Sequence, residues 1–262
     1  MTVLWRALPT GGTLLAAFLI LIAHLAAQTN QPLKTVHMFS GGANDGAGPA
    51  GGVALGPGAV LYGVTTYGGT GPCTDSTFGP GCGTVYSLTP PASTGGDWSE
   101  AVLYSFPSQA RAETGLAVGE DGALYGTTDL GGTSDQGSVF ALIPPESPGG
   151  AWTETTLCSF AESGGVGNGP SVAVGNGGVL YGTTSVGGTS NQGMVFSLTP
   201  PTAGVEGVWT ETVLHNFTGI AAGGGPEGGV TIGGNGVIYG TTLSGGTGNC
   251  NSGCGTVFSL KR

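Results

Sequence analysis

Short apolar runs alternate with glycine-rich turns along most of the chain, and one arrangement of them occurs four times. Each copy holds a Leu-Tyr-Gly or Ile-Tyr-Gly run, then a Gly-Gly-Thr loop, then a run containing Val-Phe or Val-Tyr, and the four tyrosines are Tyr62, Tyr125, Tyr181 and Tyr239. Successive tyrosines are 63, 56 and 58 residues apart. A period of this size predicts a tandem array of supersecondary units.

Each unit contains four apolar segments, which we name strands A to D. Strand A is short and consists mostly of small residues, strand B is the tyrosine run, and strand C is the valine run. Strand D ends at Phe39, Phe106, Phe160 or Phe217. Asp-Gly and Asn-Gly turns after strand A supply the positive φ angles that tight hairpins need. Pro-Pro pairs end strand C, because proline cannot donate to a ladder. Each unit is therefore predicted to be a four-stranded antiparallel meander.

The predicted strands are apolar on both faces. In the strand that ends at Phe217, Trp209 and Val213 point one way and Leu214 points the other. A sheet with two apolar faces must be covered on both sides, and sheets stacked around a shared axis achieve this. The predicted fold class is therefore all-β, a four-bladed β-propeller of four-stranded antiparallel blades.

Counting strands predicts how the array closes. The chain begins with a lone strand D at 35–39 and ends with a lone A-B-C set at 228–260, while the other blades span about 52–106, 115–160 and 170–217. We expect residues 35–39 to pair with the last set and complete the fourth blade. The alternative is an open four-blade arc that pairs with another copy into a larger ring.

The N-terminal residues 1–27 have the pattern of a secretory signal peptide. Arg6 supplies the positive start, an apolar run extends from Leu14 to Ala26, and Leu25-Ala26-Ala27 supplies a small-residue cleavage site before Gln28. The apolar run is short for a membrane span, although an uncleaved anchor is the alternative. We expect a mature repeat domain at 28–262, secreted or on the cell surface, without a membrane span after cleavage.

The composition and charge of the chain limit the classes of partner that we expect it to bind. The chain has 56 glycines and 16 prolines, which without a period would suggest disorder; with this period they indicate many tight turns. Only 8% of residues are charged and the net charge is −10. Nucleic acid and anionic lipid surfaces are therefore not expected as partners, because both require clustered Lys and Arg.

The motif series resembles the bacterial GloVer tandem repeats, a choice-of-anchor family. The resemblance covers residues 35–260 and rests on Asp45-Gly46, Pro49, the Leu-Tyr-Gly and Gly-Gly-Thr runs, the Val-Phe run with its Pro-Pro end, the Trp-Thr-Glu-Thr run and the Val-Leu-x-x-Phe strand. It implies a propeller-like fold in secreted proteins with variable C-terminal anchors, and no defined catalytic activity. This chain departs from the longer arrays by having few repeats, and we expect no terminal anchor.

The five cysteines predict two disulfides. Cys73 and Cys82 lie in the B–C loop of the first unit, and Cys250 and Cys254 lie in the same loop of the fourth. Pairs at equivalent positions in an exported protein indicate local disulfides. The rival interpretation is a four-thiolate metal site, but the spacings lack the twinned short pattern of zinc ribbons. Cys158, two residues before Phe160, is expected to be a buried free thiol rather than a nucleophile.

The remaining polar candidates are scattered. His37 and His215 share the position of Cys158 on separate blades, so they diverge and are interpreted as rim packing residues rather than a metal or catalytic pair. Asp45, with the carbonyls of its glycine-rich loop, is the single calcium candidate, and no other cofactor is expected. The recurring glutamates, Glu100, Glu154 and Glu211, are predicted at the outer edges of the blades. The loop aspartates are Asp121, Asp129 and Asp135. Neither set shows a repeated pair of carboxyls at the spacing that a glycosidase needs.

Three functions follow as hypotheses. The first is a non-catalytic binding or structural module that uses blade-end loops to contact an extracellular glycan or protein. The second is an extracellular polysaccharide-active enzyme that uses loop carboxylates. A third hypothesis is an assembly piece that works only with sister chains. We expect a monomer, with a dimer as the alternative.

Overall fold

The computed structural model describes residues 33–108, 110–160, 171–202, 207–219 and 222–261. The chain divides into two compact units, residues 1–36 and residues 37–262. In the first unit only residues 33–36 are described, and they lie outside any strand. The predicted signal peptide, 1–27, lies outside the described residues. Within the described part, no helix has the length and hydropathy needed to cross a membrane.

The second unit is built from antiparallel sheets whose strands follow one another in chain order. The first sheet contains four strands: β1 (Gly46–Leu55), β2 (Leu61–Gly68), β5 (Thr84–Thr89) and β6 (Ser99–Ser105). A small two-stranded hairpin, β3 (Thr74–Asp75) and β4 (Gly79–Pro80), lies in the loop between β2 and β5. The order β1-β2-β5-β6 is that of a meander.

The next two sheets repeat this order without the hairpin. The strands of the second sheet are β7 (Ala117–Val118), β8 (Leu124–Thr128), β9 (Ser138–Ile143) and β10 (Thr153–Ser159). The strands of the third sheet are β11 (Ala173–Val174), β12 (Leu180–Thr184), β13 (Met194–Thr199) and β14 (Thr210–Asn216). The last sheet has three strands in the described chain: β15 (Thr231–Ile232), β16 (Ile238–Thr242) and β17 (Thr256–Leu260).

This arrangement confirms the predicted fold class: all-β, with four antiparallel sheets arranged as in a four-bladed β-propeller. The predicted hairpin turns are present, because Gly122 and Gly236 adopt φ angles of 82° and 75°, which favour glycine. Two of the turns are short 3₁₀ segments, Pro57–Ala59 and Asn176–Gly178, each with a positive-φ glycine at its centre.

The core lies between consecutive sheets. We name the face of each sheet that is directed towards the preceding sheet the leading face, and the opposite face the trailing face. In the second and third sheets the leading face packs on the preceding sheet and the trailing face packs on the next. In the second sheet Leu124, Phe140 and Leu142 belong to the cluster shared with the first sheet, while Tyr125 and Val139 belong to the cluster shared with the third. The alternation of strand side chains therefore places an apolar layer on both faces, as the sequence predicted.

The phenylalanines that were predicted to end strand D lie one residue beyond the assigned strands, but they extend the ladder. The amides of Phe106, Phe160 and Phe217 each donate to a glycine carbonyl just before the neighbouring strand, at 3.0 Å: Gly83, Gly137 and Gly193. Their rings then pack edge-on against the aromatic ring of the next sheet's third strand, as Phe106 does on Phe140 with centroids 5.6 Å apart.

The predicted closure of the ring by residues 35–39 is not confirmed. These residues lie outside any strand, and β17 pairs only with β16 among the described residues. Phe39 packs on Tyr86 of the first sheet, with ring centroids 4.9 Å apart, and Val257 on the trailing face of the last sheet remains exposed. Phe39 thus contacts the first sheet, and among the described residues the expected pairing of residues 35–39 with β17 is not observed.

Candidate functional site: the loop face

One edge of the array collects two kinds of loop. In a meander the second and fourth strands end at the same edge of the sheet, so the loops that leave them lie together. We name this edge the loop face. It comprises the loops within sheets at 69–83, 129–137, 185–193 and 243–255, and the connections between sheets at 106–116, 160–172 and 217–230, of which 109, 161–170 and 220–221 lie outside the described residues.

Backbone hydrogen bonds tie these loops together across sheet boundaries. The amides of Asp129 and Leu130 donate to the carbonyls of Arg111 and Ala110, at 3.3 and 3.1 Å. Leu243 donates to Gly225, which in turn donates to Gln192, at 3.1 and 2.9 Å. A loop braced in this way presents its side chains from a fixed backbone.

Both predicted disulfides are present on the loop face. Cys73 is bonded to Cys82 and Cys250 to Cys254, so these four thiols are not free to bind a metal. Among the described residues no group of three His, Cys, Asp or Glu side chains is placed to hold a metal ion. The first disulfide closes the loop that carries the β3–β4 hairpin.

An aromatic pair stands on that hairpin loop. The rings of Tyr67 and Phe78 are stacked, 4.8 Å apart and inclined by 12°, and Phe78 is an exposed large hydrophobic residue. The Asp75 carboxylate accepts the amides of Thr77 and Phe78, at 2.7 and 2.9 Å, and so fixes the turn that positions the ring. We name Tyr67 and Phe78 the aromatic platform.

A cavity of about 140 Å³ lies beside the platform. Its polar lining comes from Thr66 at the end of β2 and from Thr74 and Asp75 of β3, with Tyr67 and the first disulfide completing the wall. Sequence reasoning missed this feature, because Phe78 has no counterpart in the other units. A signal was nevertheless present: the first tyrosine spacing is 63 residues, against 56 and 58 for the others, which marks an insertion here.

A charged cluster lies where the first connection meets the second sheet. Nε and Nη2 of Arg111 donate to the Glu113 carboxylate at 3.2 and 3.0 Å. Asp129 is 6% exposed, and this burial, together with the negative charge of Glu113, raises the pKa of Asp129 to about 6 despite the nearby Arg111. The cluster therefore places Asp129, a carboxyl with a pKa of about 6, beside the ion pair of Arg111 and Glu113.

The other loop aspartates are not part of this cluster. Asp121 lies in the β7–β8 turn at the opposite edge, where it accepts the amide of Ala123 at 3.1 Å. Asp135 accepts the amide of Gly131 in its own loop at 2.8 Å. Both thus have local structural partners, and the structure does not bring the three aspartates together.

The calcium candidate Asp45 is surrounded by hydrogen-bond donors. One of its oxygens accepts the Ser40 amide and hydroxyl and the other accepts the Gly46 amide, all at 2.7 Å. Partial burial opposes ionisation of this carboxyl, but the bonds from Ser40 and Gly46 and the nearby His37 outweigh it and lower its pKa. Asp45 therefore fixes its own turn, and calcium binding there stays a prediction.

In the first and second sheets, the position two residues before the strand-D phenylalanine lies near a glutamate of the next sheet. The Cys158 thiol donates to Glu211 at 3.5 Å. Burial raises the pKa of Tyr104, and the charge of Glu154 adds to the effect. Sequence analysis placed these glutamates at outer edges and interpreted the facing position as simple packing, because contacts between sheets leave no mark within one repeat.

Cys158 is a half-buried free thiol that is poorly suited to act as a nucleophile. Burial, with the charge and hydrogen bond of Glu211, raises the pKa of its thiol to about 12. The thiolate is the reactive form and is therefore scarce at neutral pH. His37 and His215 occupy the same position on other blades, and each stacks edge-on against its own phenylalanine, Phe39 or Phe217, with centroids 4.5 and 5.0 Å apart.

Three further cavities lie between sheets. The cavity of about 460 Å³ between the turns of the third and last sheets and the cavity of about 420 Å³ beside Gln192 are lined by uncharged described residues. A cavity of about 200 Å³ contains Glu120 and Asp121 from one turn. None of the four cavities joins carboxylates from two sheets among the described residues.

Comparisons with known proteins identify the repeat. The family model described as the Gloeobacter/Verrucomicrobia repeat matches residues 73–262. No curated protein matches the chain. Among solved structures, a luciferin-regenerating enzyme matches with a TM-score of 0.48 and 14% identity over 80% of this chain and 60% of that chain. The chain thus spans 60% of that structure's length, and a likeness at this level carries no argument about activity.

Proposed function

The chain belongs to the Gloeobacter/Verrucomicrobia repeat family, and we propose that it is an exported, non-catalytic binding module that recognises an extracellular glycan through its loop face. The disulfides are compatible with an oxidising location outside the cytoplasm. The signal-like pattern of residues 1–27 supports export.

The observation that carries this proposal is the aromatic platform beside a polar cavity. An exposed aromatic ring on a disulfide-closed loop suits the flat, C–H-rich face of a sugar ring, because aromatic faces carry partial negative charge. Thr66, Thr74 and Asp75 line the adjacent cavity and supply hydroxyl and carboxylate groups for sugar hydroxyls. Polar groups beside an apolar contact are the usual composition of a ligand site.

The loop face also favours binding over turnover. The Cys73–Cys82 disulfide and the bonds from the Thr77 and Phe78 amides to Asp75 hold the platform loop in place before binding, which reduces the entropic cost of association. Glycoside hydrolysis needs two carboxyls about 5–10 Å apart across a substrate cleft. The four cavities hold carboxylates from no more than one sheet each, which is poor support for such a cleft.

The second candidate is an extracellular polysaccharide-active enzyme, and the Arg111, Glu113 and Asp129 cluster favours it. A carboxyl with a pKa of about 6 is suited to act as a general acid, and Glu113 is the neighbouring carboxylate. In this candidate Asp129 would protonate the leaving-group oxygen.

A glycan array and a hydrolase screen of residues 28–262 test both candidates. We expect binding to at least one glycan without release of reducing ends. Phe78→Ala should lower the affinity for that glycan at least tenfold. The matched control is Tyr239→Ala, which removes an exposed aromatic ring of the last sheet away from the loop face, and it should leave the affinity unchanged.

The outcomes separate the candidates. Reducing-end release that is abolished by Asp129→Asn would establish the enzyme and overturn the binding module. Equal glycan affinity in Phe78→Ala and the parent protein would remove the platform from the proposal. Absence of binding to any arrayed glycan would reject the glycan as the ligand class.

A further inference from the structure

The two ends of the array present apolar faces that are buried everywhere else. On the trailing face of the last sheet Val257 is 82% exposed, whereas its equivalents Val139 and Val195 are 0% exposed. Tyr239 on the same face is 41% exposed, while Tyr125 and Tyr181 are buried. Among the described residues, no following sheet covers this face of the last sheet.

The leading face of the first sheet, which is the face that a preceding sheet would cover, is also partly exposed. Val53 and Leu55 of β1 are 55% and 68% exposed, whereas Leu116, which is equivalent to Val53 in the second sheet, is 8% exposed. Leu116 is part of the cluster shared between the first and second sheets. A trailing face brought against Val53 and Leu55 would therefore repeat a contact that the array already makes.

In the part of the chain that the structure describes, the edge of the last sheet lacks the fourth strand that the other three sheets possess. β5, β9 and β13 each pair with a fourth strand, and the glycine before each accepts a phenylalanine amide. β17 has no fourth strand among the described residues, so its outer backbone groups form an open edge, which is a template for pairing with another chain.

The segment that fits this edge is already seated at the other end of the array. Phe39 packs on Tyr86 of the first sheet, with centroids 4.9 Å apart, as Phe106 packs on Phe140 of the second sheet at 5.6 Å. His37 lies edge-on to Phe39 as His215 does to Phe217. Residues 37–39 thus occupy the place of a fourth strand that precedes the first sheet, but without a third strand beside them.

We propose that two copies of this chain join head to tail, with residues 37–39 and the leading face of one copy covering the β17 edge and the trailing face of the other. The register follows from the existing pairs. Val195 pairs with His215 and Val85 with Tyr104, so Val257 of one copy should pair with His37 of the other. The Phe39 amide should then donate to the Gly255 carbonyl.

A second copy is the occupant because it supplies both the missing strand and the missing sheet in the repeat's own register. Buried clusters join each consecutive pair of sheets, but among the described residues none joins the last sheet to the first. The two faces differ, so the contact is heterologous and leads to a closed ring or to an open filament. This inference is independent of the glycan proposal.

Cysteine cross-linking tests the register. In a Cys158→Ser background, His37→Cys protein is mixed with Val257→Cys protein and oxidised. We expect a disulfide-linked dimer on a non-reducing gel, formed at least tenfold faster than with the matched control Ser259→Cys, which lies on the same face two residues away. Met38→Cys with Thr256→Cys is the second pair, in case His37→Cys fails to fold.

The double variant His37→Cys/Val257→Cys distinguishes the two ways of covering the edge. If it forms an intrachain link at high dilution and the mixed single variants give no dimer, the chain closes on itself and the proposal is overturned. Light scattering of the parent protein gives an independent reading. A mass that increases with concentration supports the head-to-tail contact, and a monomer at every concentration rejects it.

Discussion

The glycine of each Leu-Tyr-Gly run is fixed by an aromatic ring on the neighbouring strand. A Cβ on Gly126 would lie 2.6 Å from the Phe140 ring, and one on Gly182 would lie 2.7 Å from the Phe196 ring. Each glycine pairs with that phenylalanine across the sheet. Since neither glycine needs a positive φ, the repeat keeps glycine for space rather than for backbone freedom.

Gly126→Ala tests this packing. We expect the free energy of unfolding to fall by about 1–3 kcal/mol, the usual cost of an oversized side chain in a packed site. Urea denaturation measures it. Gly234→Ala is the control, because its Cβ would meet nothing within 4 Å. Phe140→Leu in the Gly126→Ala background should recover part of the loss, and an unchanged stability in Gly126→Ala would contradict the account.

Asp129 makes stability depend on pH. Burial and Glu113 raise its pKa to about 6, against an unfolded value of about 3.9. Folding therefore favours the protonated carboxyl, so the contribution of Asp129 is complete below about pH 4 and is lost as the pH rises towards 6.

Asp129→Asn removes this dependence. The unfolding free energy of the variant minus that of the parent should grow by about 1–3 kcal/mol between pH 4 and pH 7, since one pKa unit corresponds to about 1.4 kcal/mol. Denaturation curves at several pH values measure the difference. A difference that stays constant, or that shrinks with rising pH, would show that the pKa of Asp129 is not raised in the folded protein.

At the scale of single elements, the first disulfide restrains the longest loop within a sheet, the one that carries the aromatic platform. Cys73→Ser/Cys82→Ser should lower the free energy of unfolding by about 2–3 kcal/mol, the entropic value for a loop of roughly ten residues. The same pair should weaken glycan binding, because Phe78 lies within the released loop. Cys158→Ser, which removes no cross-link, is the matched control for thiol loss.

The strands and turns were predictable because the sequence signals that determine them lie within each repeat. The tyrosine run, the Asp-Gly and Asn-Gly turns and the Pro-Pro ends act within a few residues, and the structure places β8, β12 and β16 at the predicted runs. Both disulfides followed from equivalent loop positions. What one repeat does in isolation could therefore be inferred from its sequence.

Contacts between repeats were not predictable in this way. The pairing of Cys158 with Glu211 joins residues 53 positions apart on different sheets, and no motif spans that distance. The aromatic platform was missed because Phe78 belongs to an insertion that occurs in one unit. The closure by residues 35–39 was inferred from strand counting alone, which fixes the number of strands but not the curvature that would bring the two ends together.

At the scale of the whole molecule, the array is a series of nearly equivalent interfaces. Such proteins derive stability from neighbour contacts, and their terminal repeats require a cap. Here the first sheet has Phe39 on part of its leading face. The trailing face of the last sheet has no cap within the described ranges, and its side chains Tyr239, Thr241, Val257 and Ser259 are uncharged. An uncapped apolar end favours association over solubility as a single unit.

Equivalent valines at an inner and an outer position should therefore respond differently to one substitution. Val257→Lys places a charge on an exposed face, so the unfolding of the isolated chain should change by less than about 0.5 kcal/mol, while the association seen by light scattering should be lost. Val195→Lys buries the same charge between two sheets, where Val195 is 0% exposed, and should destabilise the chain by on the order of 4 kcal/mol or more. Thermal melts of both variants, read with their masses in solution, separate the two effects. Substantial unfolding of Val257→Lys at concentrations where the parent is a monomer would mean that this face is already covered within the chain, and the array would then be a closed ring.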